Sequence, residues 1–511
     1  MRYGFVIDQR RCIGCHACTV ACKEENRVPL GAFRTWVKYI ERGSFPNTRR
    51  YFSVLRCNHC DAAPCVTICP TVALYRRADG IVDFDGARCI GCKSCMQACP
   101  YDALYIDPDT GTAAKCNYCA HRVEVGLEPA CVIVCPVQAI IAGDLDEPTS
   151  RIATLVAREA VQVRKAEQGT RPKVFYLGAD AAGLTPELQA PATGYLWAER
   201  PREEVDLVMM VAAVQSTAGT GALSRTVYDA PHQVRPWGWK VAAYLWAKSI
   251  AAGSLLVAAL ALPRGESLFG IGAPALSLFF LALTTALLIG DLKRPDRFAF
   301  IIIKANWRSW LVWGAWVLMA FGGAGAAWLV AGWTGRWDVV SWVLVPAVLL
   351  ALATAGYSAF LFGQAEGRDF WQSPLVLPHL IVAAMVAGAA ALSVTAAAWP
   401  PRAAEDDPGT LWPLLFVALI AHGLLLALEV FNRHAVHDAT LAARLIWRGG
   451  YRVRFWGGVV LAGTVLPMAM LLAAAAWDST PLGTLGALLA LAGLWLWEDL
   501  WVKAGQSVPL S

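Results

Sequence analysis

Sixteen cysteines lie between Cys12 and Cys135 of this 511-residue chain, and no other position is cysteine. Spacing sorts them into four groups of four. C-x2-C-x2-C-x3-C occurs at Cys12, Cys15, Cys18 and Cys22, in RCIGCHACTVACK, and returns at Cys89, Cys92, Cys95 and Cys99, in RCIGCKSCMQACP. C-x2-C-x4-C-x3-C-P covers Cys57, Cys60, Cys65 and Cys69, and C-x2-C-x11-C-x3-C-P covers Cys116, Cys119, Cys131 and Cys135. Runs of this kind ligate iron: three close thiolates hold three irons of one cubane, and the fourth, beyond a turn and usually before proline, reaches a different cluster. Four groups therefore imply four [4Fe–4S] clusters. A disulfide framework suits small secreted domains, but the opening MRYGFVIDQRR has neither an apolar core nor a small-residue cleavage site, so no secretory signal is expected. Zinc also takes four thiolates, yet zinc knuckles use two pairs, not runs of four ending in Cys-Pro three times over. Cys22 departs from that ending, being followed by Lys23.

Basic residues crowd the groups: Arg11, Lys23, Arg56, Arg88, Lys93, Lys115 and Arg122. Positive charge beside an anionic cluster stabilises its reduced form, so these can tune potential. A solvated surface or a docking face for a partner is the alternative for any one of them.

Order and spacing resemble the four-cluster iron–sulfur subunit of membrane-bound molybdopterin oxidoreductases, the dimethyl sulfoxide, polysulfide and nitrate reductase type. The resemblance covers about residues 1 to 190 and includes RTWVKYIERG, RCNHCDAAPCVTICP, KCNYCAHRVEVGLEPACVIVCP and GTRPKVFYLG. It implies an α+β fold of the double bacterial-ferredoxin kind. It also implies four ligand sets: Cys12, Cys15, Cys18 and Cys135; Cys116, Cys119, Cys131 and Cys22; Cys57, Cys60, Cys65 and Cys99; Cys89, Cys92, Cys95 and Cys69. All sixteen positions are cysteine, so no three-iron cluster is expected.

The rest of the chain reads as membrane. From about residue 238 it is rich in Leu, Ala, Val, Gly and Trp, which raises the mean hydropathy of the whole chain to +0.45. Eight spans are predicted, an all-α transmembrane bundle over 238–511: 238–262, 270–290, 309–333, 339–363, 374–398, 411–431, 455–477 and 481–502. Residues 191–237 read as an irregular linker over the membrane surface. LLIGDLKRPDRFAFIIIKANWRSWLVWGAWVL and GYSAFLFGQAEGRDFW resemble the eight-helix anchor of the polysulfide reductase type, called NrfD-like, which binds quinone and no haem. A bis-histidine haem is not expected, because His422 is the only histidine at mid-span and His379 lies near a helix start, with no facing pair apparent.

Quinone chemistry requires groups that donate hydrogen bonds or relay protons near a cluster. At the iron–sulfur ends of the spans stand Tyr244, Lys248, Asp291, Tyr357, Gln364, His379, Glu429, Glu498 and Asp499, and ionisable groups at membrane depth are costly enough to suggest function. The family's pocket lies between its first and fourth spans. The resemblance makes Tyr357 its tyrosine, while Tyr244 stands where the family has histidine, and Lys248 is the substitute candidate. His379, Glu429, Glu498 and Asp499 are candidates for a proton relay. Each tyrosine can equally belong to an interfacial belt, and Asp291 reads better as an ion-pair partner of Arg294 and Arg297.

Twelve Lys and Arg fall on the iron–sulfur side of the spans and three, Arg264, Arg336 and Arg402, on the other, which puts the clusters in the cytoplasm of a prokaryotic inner membrane. The expected protein is an electron-transfer and quinone-reactive subunit. It works with a molybdopterin-type catalytic partner, menaquinone or ubiquinone and membrane lipid, and with no nucleic acid. A hydrogenase partner, a larger proton-moving assembly, or a zinc-bound module on an unrelated transporter are the rival readings.

Overall fold

The structure is a computed structural model that describes residues 1–190, 206, 210–211, 224–230, 235–261, 268–398 and 411–511. Its soluble part is built on β1 (Tyr3–Asp8), an alternating strand whose two faces are both covered. Phe5 and Ile7 point toward the cysteine-bearing loops, while Val6 points to the opposite side, against Ile152 of the helix Arg151–Arg158. β1 pairs antiparallel with Ile140–Asp144 and parallel with Val174–Leu177, so the first residues of the chain clamp the end of this region.

A second sheet holds a long hairpin, β2 (Thr35–Ser44) and β3 (Asn47–Arg56). Strand Ser224–Tyr228 adds to β2 antiparallel. This corrects the linker reading at those residues: alternate side chains Ser224, Thr226 and Tyr228 are buried, and the segment is an inner strand of the sheet, with Gln189–Ala190 on its other side. Residues 191–205, 207–209, 212–223 and 231–234 of the expected linker lie outside the described residues.

Four short helices, Ala17–Glu25, Pro64–Ile68, Ser94–Ala98 and Ala130–Ile133, carry the third cysteine of each run, Cys18, Cys65, Cys95 and Cys131. Before each helix the chain makes a tight loop. In two runs this needs left-handed backbone at Gly14 and His16, and again at Gly91 and Lys93, with φ between 60° and 73°. Such turns aim successive backbone N–H groups inward, a concavity suited to an anion.

Eight apolar helices follow: Trp239–Ala261, Leu268–Asp291, Trp310–Trp333, Trp337–Gly363, Val376–Ala398, Trp412–Phe431, Arg454–Trp477 and Thr480–Ser507. We call them spans one to eight. Span eight outruns its expected end at residue 502, because its last turn is buried against protein: the Gln506 side chain bonds both Gln97 and the backbone of Trp237. Span seven opens as a wide π coil over Arg454–Val465, which no sequence period announces. Arg264 and Arg402 lie outside the described residues.

Span one is buried nearly all round and packs on spans two, four, five and eight. Small residues permit this. A Cβ on Gly253 would sit 1.8 Å from the carbonyl oxygen of Ala384, and one on Gly388 2.1 Å from the carbonyl carbon of Gly253, so spans one and five touch backbone to backbone. Gly253→Leu is therefore expected to destabilise the bundle by more than the ~1–3 kcal/mol of ordinary overpacking. Thermal unfolding in detergent measures it; an unchanged midpoint would refute this contact.

Candidate functional site

The soluble part gathers its thiols into four sets. One cavity is lined by Cys12, Cys15, Cys18 and Cys135, a second by Cys22, Cys116, Cys119 and Cys131, and a third by Cys69, Cys89, Cys92 and Cys95. Cys57, Cys60, Cys65 and Cys99 face one another as the remaining set. Each set takes three thiols from one run and one from another. Cys18 neighbours Cys131, Cys116 neighbours Cys57 and Cys95 neighbours Cys65, so the sets follow one another in a line. Cys15 is exposed and Cys12 and Cys135 are half-buried, which puts one end of the line at the surface.

Burial pushes the thiols of Cys18, Cys60, Cys92 and Cys116 up to about 12, and that of Cys99 to about 11. Burial thus disfavours a bare negative charge on these five sulfurs, and a cationic metal core is a group whose charge would offset it. Donors converge on the sulfurs: Gly91 N and Ala113 N lie 3.4 and 3.3 Å from Cys89 Sγ, Ala139 N lies 3.2 Å from Cys135 Sγ, and Arg56 Nη1 lies 3.1 Å from Cys131 Sγ. The other basic residues differ in their engagements. Lys23 donates to Pro29 O and Ala32 O, Lys115 to the carbonyls of Val82 and Cys116, and Arg122 pairs with Glu25.

The opposite end of the line rests on the bundle. Around the set containing Cys89, the membrane half reads the backbone of the cysteine loops: Asn306 Nδ2 donates to Cys69 O at 2.8 Å, Trp237 Nε1 to Cys92 O at 3.1 Å and Arg297 Nη1 to Cys89 O at 3.1 Å. Lys93, beside Cys92, pairs with Asp291 at 2.7 Å. That corrects the partner expected for Asp291, since Arg294 and Arg297 turn instead to Asp296. Spacing within one segment could not reveal a partner about two hundred residues away.

Inside the bundle, Tyr244 and Lys248 on span one meet Tyr357 on span four, all three buried. Lys248 Nζ donates to Ala355 O at 2.8 Å and Ser358 Oγ at 3.0 Å, and stands 5.0 Å from the Tyr357 ring centre. Ser358, which sequence reading passed over, lies beside both tyrosine hydroxyls. A Cβ at Gly314 would strike the Tyr357 ring at 2.3 Å, so that glycine makes the ring's berth. Gln364, at the end of span four, instead ties two backbone groups, Trp310 N and Arg308 O.

A second polar group stands nearby. His379 Nδ1 meets Glu429 Oε2 at 2.7 Å, Trp501 Nε1 donates to Glu429 Oε1 at 2.6 Å, and the His379 ring stacks on Trp497. Glu498 is within electrostatic reach of Lys248, His379 and Glu429 alike. Asp499 does not join them; it pairs with Lys503 at 2.6 Å. The expectation that no two histidines face one another is also corrected: His379 and His422 meet edge to face with ring centres 5.0 Å apart, since spans five and six bring a near-end and a mid-span position level.

Four-thiol sets in a strand-bearing soluble part, seated on eight apolar helices, define a membrane-anchored iron–sulfur electron-transfer protein. The chain belongs to the polysulphide reductase NrfD family, whose profile matches residues 227–509, and it carries in front of that anchor a 4Fe-4S binding domain at residues 10–25 and a 4Fe-4S dicluster domain at residues 48–145. Its soluble part is 50% identical over 202 residues to a tetrathionate reductase subunit of Salmonella typhimurium, covering 39% of this chain and 80% of that protein. It is 40% identical over 186 residues to a polysulfide reductase chain of Wolinella succinogenes, covering 36% and 97%. Protein NrfC of Escherichia coli is 44% identical over 178 residues, covering 34% and 80%.

If Cys135 completes the surface set, Cys135→Ser will disturb the signal of the metal held by Cys12, Cys15 and Cys18 and leave that of Cys116, Cys119 and Cys131 in place. Electron paramagnetic resonance of the reduced membranes tests this. A change confined to the Cys116 set would refute the crossed arrangement.

Proposed function

We propose that this chain is the electron-transfer and quinone-reactive subunit of a respiratory complex whose substrate chemistry resides in a separate catalytic subunit of the molybdopterin type. The observation that carries the reading is the line of four-thiol sets, which runs from an exposed end to an end held by the membrane bundle. All sixteen cysteines act as iron ligands in this proposal, in the four sets described, and a [4Fe–4S] cluster in each supplies one-electron exchange.

The catalytic subunit docks at the exposed end. There Ile13 and Val20 stand exposed on the first cysteine run, with Ile133 and Val134 beside Cys135. Apolar residues in such a group mark an interface. The tetrathionate reductase and polysulfide reductase proteins that share this part are by name components of reductases, and that supports a partner of the same kind.

At the membrane end the quinone, menaquinone or ubiquinone, takes Tyr244, Lys248 and Tyr357 as its polar contacts. Tyr244 lies five residues into span one, about 7 Å below its start, and Trp237, just before that span, bonds the loop of Cys92. His379, Glu429 and Glu498 form the route by which protons reach this site, whereas Asp499, committed to Lys503, serves the fold. Residues 1–190 act as the electron-transfer domain and 238–511 as the anchor. The membrane is a prokaryotic inner membrane, with the iron–sulfur domain on its cytoplasmic face.

Two measurements test the proposal. Losing a buried hydrogen bond to a ligand costs about 1–3 kcal/mol, so Lys248→Met and Tyr357→Phe should each lower quinone turnover roughly tenfold or more while dye reduction by the complex persists. Wild-type quinone turnover in both would move the site elsewhere. For orientation, a reporter fused after Ser511 should be active only in a form that works in the cytoplasm; strong periplasmic activity would invert the topology.

A further inference from the structure

Arg56 ends β3 with its side chain sealed inside the soluble part, at 1% exposure. Its Nη1 meets Cys131 Sγ at 3.1 Å and its guanidinium lies over the Phe5 ring at 4.5 Å. Nε and Nη2 are buried with no hydrogen-bond partner, and among the described residues no carboxylate pairs with it. Lys115 is as deeply buried, but two carbonyls accept hydrogen bonds from it. Arg56 is thus a buried cation whose counter-charge must come from the sulfurs around it: Cys131 and Cys116 of the second set, and Cys18 of the first. Burying a charge without an opposite one is strongly unfavourable, so the assembled protein has to supply the anion.

We propose that Arg56 holds up the reduction potential of the cluster at Cys22, Cys116, Cys119 and Cys131, so that an electron passing between the surface set and the deeper sets meets no deep step there. The inference rests on reading these cysteines as cluster ligands. Four thiolates around a [4Fe–4S]2+ core carry a net charge of −2; one electron makes it −3, with no proton taken up or released. A fixed positive charge beside the sulfurs favours the more negative state and raises the potential, and N–H donors aimed at the sulfurs act in the same direction. Cys18 brings the first cluster under the same influence more weakly, whereas the set at Cys89 is two sets further along the line.

The test is a redox titration of the full-length protein in reduced membranes, followed by electron paramagnetic resonance, with iron content measured in parallel. The signal of the second set is identified by its change in Cys131→Ser. In Arg56→Gln, and in Arg56→Met, which buries no unpaired amide, that signal should need at least a tenfold more reducing balance, about 59 mV for a one-electron couple, while the Cys89-set midpoint stays put. Arg56→Lys keeps the charge but loses the planar fork, and should show a smaller fall. Full iron with unchanged midpoints in the neutral variants would overturn the proposal. Should neither neutral variant retain iron, the lysine variant decides: a lowered midpoint supports the role and an unchanged one overturns it. Wild-type protein without iron would instead sink the cluster reading itself.

Discussion

Every four-thiol set in the soluble part crosses between two cysteine runs, and that crossing shapes the region. Each run gives three thiols, around one tight loop and helix, to one set, and its fourth thiol lies with another set. The set of Cys12, Cys15, Cys18 and Cys135 joins the first run to the last, and the neighbouring set reverses the loan through Cys22. β1 does the same in backbone terms by pairing with Ile140–Asp144 and Val174–Leu177. Both ends of the region are thereby fixed around the same cysteine-lined core.

The seam between the soluble part and the bundle follows from a second need, to hold the last set in a fixed relation to the membrane. Backbone carbonyls of the cysteine loops are good handles, since they move only if the loop moves. Asn306, Trp237 and Arg297 take three of them. Arg368 adds a brace: its Nε donates to Gln97 and its Nη1 to the carbonyls of Gln506 and Val508, tying the helix before Cys99 to the end of span eight. Fusing the two halves in one chain places these contacts within one molecule.

Much of this was legible from residue types. Three cysteines per loop, Gly14 and Gly91 where left-handed backbone is needed, and eight apolar stretches all declare themselves locally, because turn geometry and bilayer thickness act over a few residues or one helix. What escaped the sequence depends on distant partners. Lys93 with Asp291, Ser224–Tyr228 joining β2, and His379 meeting His422 each require knowing how far-separated segments lie against one another. Ser358 escaped for another reason: one hydroxyl in an apolar helix commonly bonds its own backbone, and only the approach of Lys248 gives it a second role.

Span one has a history that its final surroundings conceal. It is the first of the eight to be synthesised, yet in the finished bundle it is almost wholly screened from lipid. Lys248, near the middle of span one, is satisfied by Ala355 and Ser358, which belong to the fourth span to be made. A lysine at the centre of an isolated helix costs about 2.5–3.5 kcal/mol to insert. Until span four arrives, that ammonium lacks the two partners that hold it in the finished bundle. Inserting span one and burying its lysine are therefore separate events, the second waiting on span four.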